Sequence, residues 1–490
     1  MSGESFPKVL KNRKEVIYLE ENQKNMNEKG AGNLKQDEKL GTAHLGKLIA
    51  EMALPAVAAQ IINVLYNIVD RIYIGHIHGY GDMALTGVGV TFPILMVISA
   101  FSAFAGMGGA PLASIQLGKK NYQEAEKILG NSVGLLLIFS VLLTALFSIF
   151  KTPVLYAFGA SDTTIVYASQ YISIYLLGTV FVQFAVGLNT YISGQGNART
   201  AMLSVLIGAV TNIILDPIFI FAFGMGVRGA ALATIISQAI SAVWVVRFLT
   251  SKKSVIRIRR KYIRLNAKTV GSIAALGVSP FIMQSTESLV MITLNSGLQK
   301  YGGDIYVGTM SIMSSIMQLI IVPVQGVSQG VQPIMSYNYG AGKLDRVKGA
   351  FIRMVSVCLA ATVILAGIAI AKPEIYARVF TGNQELISLT CSVMPVYFLG
   401  ITIFGIQMAC QSTFLALGQA KVSLVIALLR KVILLIPLAV TLPKFMGVMG
   451  IYRAEPIADI ISVIVTVILF IITAKKILRK DEKGDMIREV

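Results

Sequence analysis

Three carboxylates, Asp70, Asp216 and Glu287, stand inside long apolar runs, where a charged side chain costs about 2.5–3.5 kcal/mol or more to insert. An acid kept there has to use its charge, by holding a cation, carrying a proton or pairing with a base. Gln60, Asn63, Asn67 and Asp70 follow one another at spacings of 3, 4 and 3, which on a helix of about 3.6 residues per turn places all four on one stripe. That stripe is expected to face the interior of a helix bundle. The plainer alternative pairs Asp70 with Arg71, although consecutive helical residues point about 100° apart. Asn212 and Asp216 stand at i, i+4 and are followed at once by Pro217, which frees a carbonyl one turn earlier and bends the helix. Two carboxylates that approach one another in low dielectric must share a proton or a cation, and a structural Asp bonded to a hydroxyl is the bland reading. Thr234 either adds an oxygen to that cluster or simply packs.

A second set lies further along. Gln284, Glu287, Ser288, Met291 and Asn295 fall within about 100° of helix circumference. Facing a wet cavity, Glu287 would hold a cationic substrate or a proton; as a structural group it needs a partner that the sequence does not name. Gln318, Gln325, Gln329 and Gln332 share a face, as do Gln407 and Gln411, and such amides suit either a cavity wall or interhelical hydrogen bonds. Met310, Met313 and Met317, and Tyr167, Tyr171 and Tyr175, form stripes that read as core or as surfaces for organic cations. The expected substrate cavity is lined by Gln60, Asn63, Asn67, Tyr171, Tyr175, Gln284, Glu287, Met291, Gln318 and Gln407. Arg453, Glu455 and Asp459 open the last apolar run and are expected to neutralise one another near its outer end.

The elements that position these residues follow from composition. Of 490 residues 55% are hydrophobic and 14% charged, against about 25% charged in an ordinary soluble domain. Some twelve apolar runs, from about 48–74 to 448–474, are continuous and long enough to cross about 30 Å of hydrocarbon as helices. The net charge of +18 would suit a nucleic-acid binder only if it covered a folded surface; here the Lys and Arg residues collect in the breaks between apolar runs. With the N-terminus inside, the inner breaks hold Lys119, Lys120, Lys127, Arg199, the stretch 252–268, Lys343, Arg346, Lys348 and Lys421, while the outer ones hold little beyond Lys151, Arg228, Lys300, Lys372, Arg378 and Lys444. The asymmetry predicts both termini in the cytosol and a multi-pass protein of the cytoplasmic membrane. Residues 1–46 read as a solvated cytosolic leader without a signal-peptide core.

The chain also repeats. A shift of 222 residues lays Gly108 on Gly330, Pro111 on Pro333, Tyr175 on Tyr397, Gly178 on Gly400 and Gly196 on Gly418, and Pro55 meets Pro280 at 225. Duplication with an even number of spans gives two lobes in the same orientation. The organisation expected is an all-α polytopic protein of twelve transmembrane helices: a six-helix lobe over 47–250, a basic cytosolic linker over 251–268, a second lobe over 269–476 and a tail over 477–490. The sequence lacks GxxxxGK[ST] and HExxH motifs, and Cys358, Cys391 and Cys410 have no ligand spacing. An enzyme is therefore disfavoured, and a transporter driven by an ion gradient is the expected class.

At these residues the chain resembles the multidrug and toxic compound extrusion (MATE) family. The resemblance covers about 45–475: Pro55 followed by Asp70 and Gly75, Gly108-Gly109-Ala110-Pro111, Gly118-Lys119, Gly194-Gln195-Gly196-Asn197, and Asn212 through Asp216-Pro217. It implies a MATE-type (MOP) fold and an antiporter that exports amphipathic, mostly cationic drugs against inward H⁺ or Na⁺, with no cofactor and, as expected here, as a monomer in the bilayer. It also implies a cation-coupling site at Asp70, Asn212, Asp216 and Thr234, with Asp70, Asn212 and Asp216 as metal ligands if the ion is Na⁺, and hinges at Pro55 and Pro217. Glu287 matches an acidic position of another branch, but the Asp which that branch carries in the tenth span is missing, and glutamines such as Gln407 and Gln411 stand on that polar face. The rival reading within the superfamily is a flippase for lipid-linked saccharides or lipids, which calls for a cationic cavity.

Overall fold

The computed structural model describes residues 38–477, and among them the regular structure is helical throughout. The first six spans are α1 (Leu45–Gly75), α2 (Gly81–Gly118), α3 (Tyr122–Ala157), α4 (Ile165–Leu177 with Thr179–Gly194), α5 (Ala198–Ala222) and α6 (Val227–Thr250). The second six are α7 (Ala267–Gly302), α8 (Asp304–Gly340), α9 (Leu344–Ala371), α10 (Gln384–Tyr397 with Ile401–Ala416), α11 (Ala420–Met446) and α12 (Met449–Ile477). Nine of them are long and apolar enough to cross a membrane unaided, and the two bent ones complete spans of their own. The remaining span, α7, has 36 residues, its hydropathy diluted by the polar stripe through Gln284 and Glu287. The twelve-helix fold in two lobes is the expected one.

Irregularities recur in corresponding places. The fourth helix of each lobe is broken, by 63° at Gly178 in α4 and by 51° ahead of Ile401 in α10. At both breaks a glycine lets the sixth helix of its lobe come close: a Cβ on Gly178 would meet Ile235 at 2.6 Å, and one on Gly400 would meet Asp459 at 2.7 Å. The fifth helices each contain a π-helical stretch, Ile218–Ala222 after Pro217 and Leu429–Leu435 in α11. Both of these turn side chains that an α-helical wheel would misplace.

The lobes meet where α2 crosses α7 and α1 crosses α8. Gly108 lies against Ile273 and Gly277, Gly118 against Tyr337, Gly340 against Ile115, and Gly330 against Ala53, all backbone approaches that a side chain would block. Phe101 and Phe104 of α2 close on Phe281 of α7, with ring centroids 4.9 and 6.2 Å apart. These contacts lie toward the end that carries the basic loops. Further along the same helices Asn67, Arg71, Glu287 and Met291 are exposed. Gly118→Leu is expected to cost the closed seam about 1–3 kcal/mol through overpacking, read as a longer distance between spin labels on the exposed Lys119 and Asp345; an unchanged distance contradicts this account of the seam.

The last residues before α1, within the segment expected to be a solvated leader, form a strap across the seam at this basic end. Leu40 is buried and packs by Gly196 of the first lobe. Its carbonyl accepts from Asn338 Nδ2 (2.9 Å) and Arg346 Nη2 (3.3 Å), and the Gly41 carbonyl accepts from Lys343 Nζ (2.8 Å), all on the second lobe. Lys39 pairs with Glu51 of α1. The linker after α6 is likewise pinned: Gln195 Oε1 accepts from Ser254 Oγ and the backbone N–H groups of Val255 and Ile256, and Glu126 from Arg257 N and Arg259 Nε.

Candidate cation and substrate sites

In the first lobe four helices converge on Asp216, which is fully buried. On α5, Asn212 Nδ2 donates to Asp216 Oδ1 at 3.1 Å. From α1, the Asp70 carboxyl comes within hydrogen-bonding reach of the Asp216 carboxyl. Arg71 does not capture Asp70; its guanidinium lies 5.6 Å from the Phe92 ring centroid, as the roughly 100° between consecutive helical residues requires. On α6, Thr234 Oγ1 donates to the Ala230 carbonyl at 3.0 Å and stands beside the Tyr171 hydroxyl of α4. Tyr175 stacks on Tyr171, ring centroids 6.1 Å apart. Tyr66 of α1 closes the group and is an electrostatic neighbour of both acids. It was not singled out from sequence, since a tyrosine inside an apolar run reads as packing.

Asp70 Oδ1, Asn212 Oδ1 and Asp216 Oδ2 are buried and have no hydrogen-bond donor in the protein. Buried oxygens that face one another without a donor repel unless something positive stands between them. The oxygen-only donor set fits a proton or a hard monovalent cation. Among the described residues no three or more His, Cys, Asp or Glu side chains gather as a metal site.

The expected cavity residues divide. Gln60 ties the lobes together, its Nε2 donating to Gln329 Oε1 at 2.8 Å, and Asn67 turns back to the Asn63 carbonyl at 2.6 Å. Tyr171 and Tyr175 are buried inside the first lobe, and Tyr167 leaves their stripe to stack on Tyr80 at 5.1 Å. Gln318 and Met291 are exposed; Gln284 Oε1 and Gln407 Oε1 are buried without a partner. Gln411 is structural, with its Nε2 near Ser279 Oγ and Ser423 Oγ at 2.9 and 2.8 Å. Pro55 and Pro217 both lie within their helices.

The second lobe holds a cluster that sequence reading paired wrongly. Glu455 and Asp459 of α12 bind Arg430 of α11, through Nη2–Oε1 at 2.9 Å and Nε–Oδ1 at 2.6 Å, and the guanidinium lies 4.3 Å from the Phe404 centroid. Arg453, two positions before Glu455 and so about 200° away on the helix, points instead to Met446 Sδ at 3.7 Å. Glu287, which lacked a nameable partner, pairs with Lys431, whose Nζ also donates to the Met283 carbonyl at 3.0 Å. Adjacent basic residues in the middle of an apolar run were the available signal for both partners.

Two six-helix lobes whose interiors hold ionisable groups define a membrane transporter. Solved structures share this fold: an outward-facing multidrug resistance MATE family transporter of the MOP superfamily, 22% identical, with a TM-score of 0.84 over 91% of this chain and 99% of that one, and a MATE protein in a bent conformation, 23% identical, with a TM-score of 0.84 over 90% and 98%. Among sequence relatives is the multidrug export protein MepA of Staphylococcus haemolyticus, 24% identical over 84% of this chain and 90% of MepA. MepA of Staphylococcus saprophyticus is 24% identical over 86% and 93%. The MatE family model matches residues 55–218 and 280–441, one segment in each lobe, and the chain belongs to the MatE family. It is therefore an efflux transporter and not an enzyme.

Proposed function

We propose that this protein exports amphipathic, mostly cationic drugs and toxic compounds in exchange for inward H⁺ or Na⁺, with Asp70, Asn212, Asp216 and Thr234 as the coupling site. The observation that carries the reading is the pair of facing acids, Asp70 and Asp216, with buried oxygens that no protein group satisfies. A cation or proton there draws α1 and α5 together; its loss drives the two carboxylates apart and moves α1 against α8. Drug binding in the inter-lobe cavity and ion binding in the first lobe then disfavour one another, and by reciprocity each expels the other. Pro55 and Pro217 give α1 and α5 the freedom to bend. If the ion is Na⁺, Asp70, Asn212 and Asp216 supply its ligands. Glu287, Gln284, Met291, Gln318 and Gln407 of the second lobe supply the substrate wall, joined by Asn63 and Asn67.

The relatives' description as multidrug export proteins supports this substrate class. The placement that goes with it is a monomer in the cytoplasmic membrane with both termini in the cytosol. The flippase reading loses support in the second lobe, because Arg430 and Lys431 are held by acids there. The test is dye efflux from proteoliposomes given a sodium gradient at fixed pH, and then a pH gradient without sodium. One of the two should drive uphill export; failure of both overturns the reading.

A further inference from the structure

The second lobe's ionic cluster is unbalanced. Glu287, Glu455 and Asp459 face Arg430 and Lys431, and the five are electrostatic neighbours. With all five ionised, one negative charge is unmatched. Asp459 is fully buried and its Oδ2 has no donor, so Arg430 meets that carboxylate through one oxygen alone. Side-chain exposure says where a further positive group would arrive. Arg430, Lys431, Glu455 and Asp459 are 12%, 6%, 6% and 0% exposed, whereas Glu287 is 59% exposed. Lys431 thus stands behind a carboxylate whose outer side is open, and Met291, one turn further along α7, is exposed beside it.

We propose that Lys431 is a tethered competitor for Glu287: it holds the carboxylate until an amphipathic organic monocation takes it from the cavity side, and it thereby sets which substrates the second lobe accepts. The exchange needs no proton transfer. When Glu287 turns to the incoming cation, the Lys431 ammonium keeps the Met283 carbonyl and stays within the field of Glu455. The arriving charge makes three cations against three carboxylates, so the cluster is neutral only when loaded. A neutral molecule of the same shape gains nothing from this exchange, and Lys431 is therefore a specificity residue that favours permanent cations carrying an apolar body, the thioether of Met291 packing against that body.

The inference takes its class of ligand from the export reading, and a binding experiment without any gradient keeps the two separable. Full-length protein in nanodiscs is titrated with tetraphenylphosphonium, which cannot exchange protons, and with neutral triphenylphosphine oxide. Lys431→Met should bind the phosphonium about tenfold more tightly and Glu287→Gln about tenfold more weakly, with the neutral probe unchanged in both. Glu287→Gln combined with Lys431→Met should bind no better than Glu287→Gln alone. If Lys431→Met does not fold, Lys431→Arg carries the test: a guanidinium fork grips Glu287 more firmly, so phosphonium binding should fall about threefold. The proposal is overturned if Lys431→Met or Lys431→Arg leaves phosphonium affinity at the wild-type value, the result expected if a proton held inside the cluster meets the unmatched charge. It is overturned equally if the double variant gains as much affinity as Lys431→Met. This order of affinities, found in protein that shows no ion-driven efflux, would retire the coupling reading and leave Lys431 in its role.

Discussion

Asp70→Asn and Asp216→Asn should each abolish ion-driven export, cutting uphill dye efflux by about 100-fold, while the folded protein becomes more stable. The two effects share a cause. In the wild type, two carboxyls face each other around Asn212, whose amide Nδ2 donates to Asp216 at 3.1 Å. An Asn at either position has nearly the same shape and places a second amide donor against the remaining carboxylate, giving one of the orphaned oxygens a partner. That substitute is permanent. It fills the place of the exchangeable ion, so the helices keep the ion-bound arrangement, and coupling that is ordinarily worth about 1–3 kcal/mol is lost. Reconstituted protein, matched for amount, is assayed for efflux under the working gradient and for melting temperature. Asp82→Asn, at an exposed position where α2 begins, should transport as the wild type does. Wild-type export by either first-lobe variant would remove Asp70 and Asp216 from the coupling site, and a fall in melting temperature would show that the pair is held by something other than an exchangeable ion.

What could be read from sequence divides along local and non-local lines. The first-lobe site was legible because its signals are short range: Asp70 closes a helical stripe, and Asn212, Asp216 and Pro217 lie within two turns of one another. The cost of an acid in hydrocarbon supplied the rest of that inference. The partners of Glu287 and Asp459 were hidden for the opposite reason. Lys431 is 144 residues from Glu287 and Arg430 is 29 from Asp459, and the two bases lie in a π-helical stretch, where simple helical spacing does not say which way a side chain turns. Counting basic residues in loops passed over both of them. The breaks in α4 and α10 were invisible because apolar runs continue through Gly178 and Gly400, and hydropathy does not register a change of direction. The strap around Leu40 was missed because one leucine in a polar segment carries no periodic signal; Gly196 of the first lobe and Asn338, Lys343 and Arg346 of the distant lobe together give it a place to bind.

Arg430→Met should be the most destructive single change in the second lobe, and removing its acids as well should reverse most of the damage. Among the described residues Arg430 is the one base in direct contact with both Glu455 and Asp459, whose side chains are 6% and 0% exposed. Its removal leaves two buried carboxylates side by side with Lys431 turned toward Glu287, and breaking a buried pair in this way costs about 3–5 kcal/mol. Methionine restores much of the volume and can rest on the Phe404 ring, so a cavity is not the cause of the loss. Arg430→Lys keeps the charge but cannot span both acids with a planar fork, and should fall between Arg430→Met and the wild type. The triple variant Arg430→Met, Glu455→Met, Asp459→Leu replaces the network with apolar groups, and buried ion clusters exchanged for well-packed hydrophobic residues of similar volume are often close to neutral in stability. Melting temperature and yield of folded protein from the membrane should therefore rank wild type and triple variant together, Arg430→Lys next and Arg430→Met last. A wild-type melting temperature for Arg430→Met would mean that Glu455 and Asp459 are already neutral, so that the cluster holds no unmatched negative charge for a substrate cation to meet.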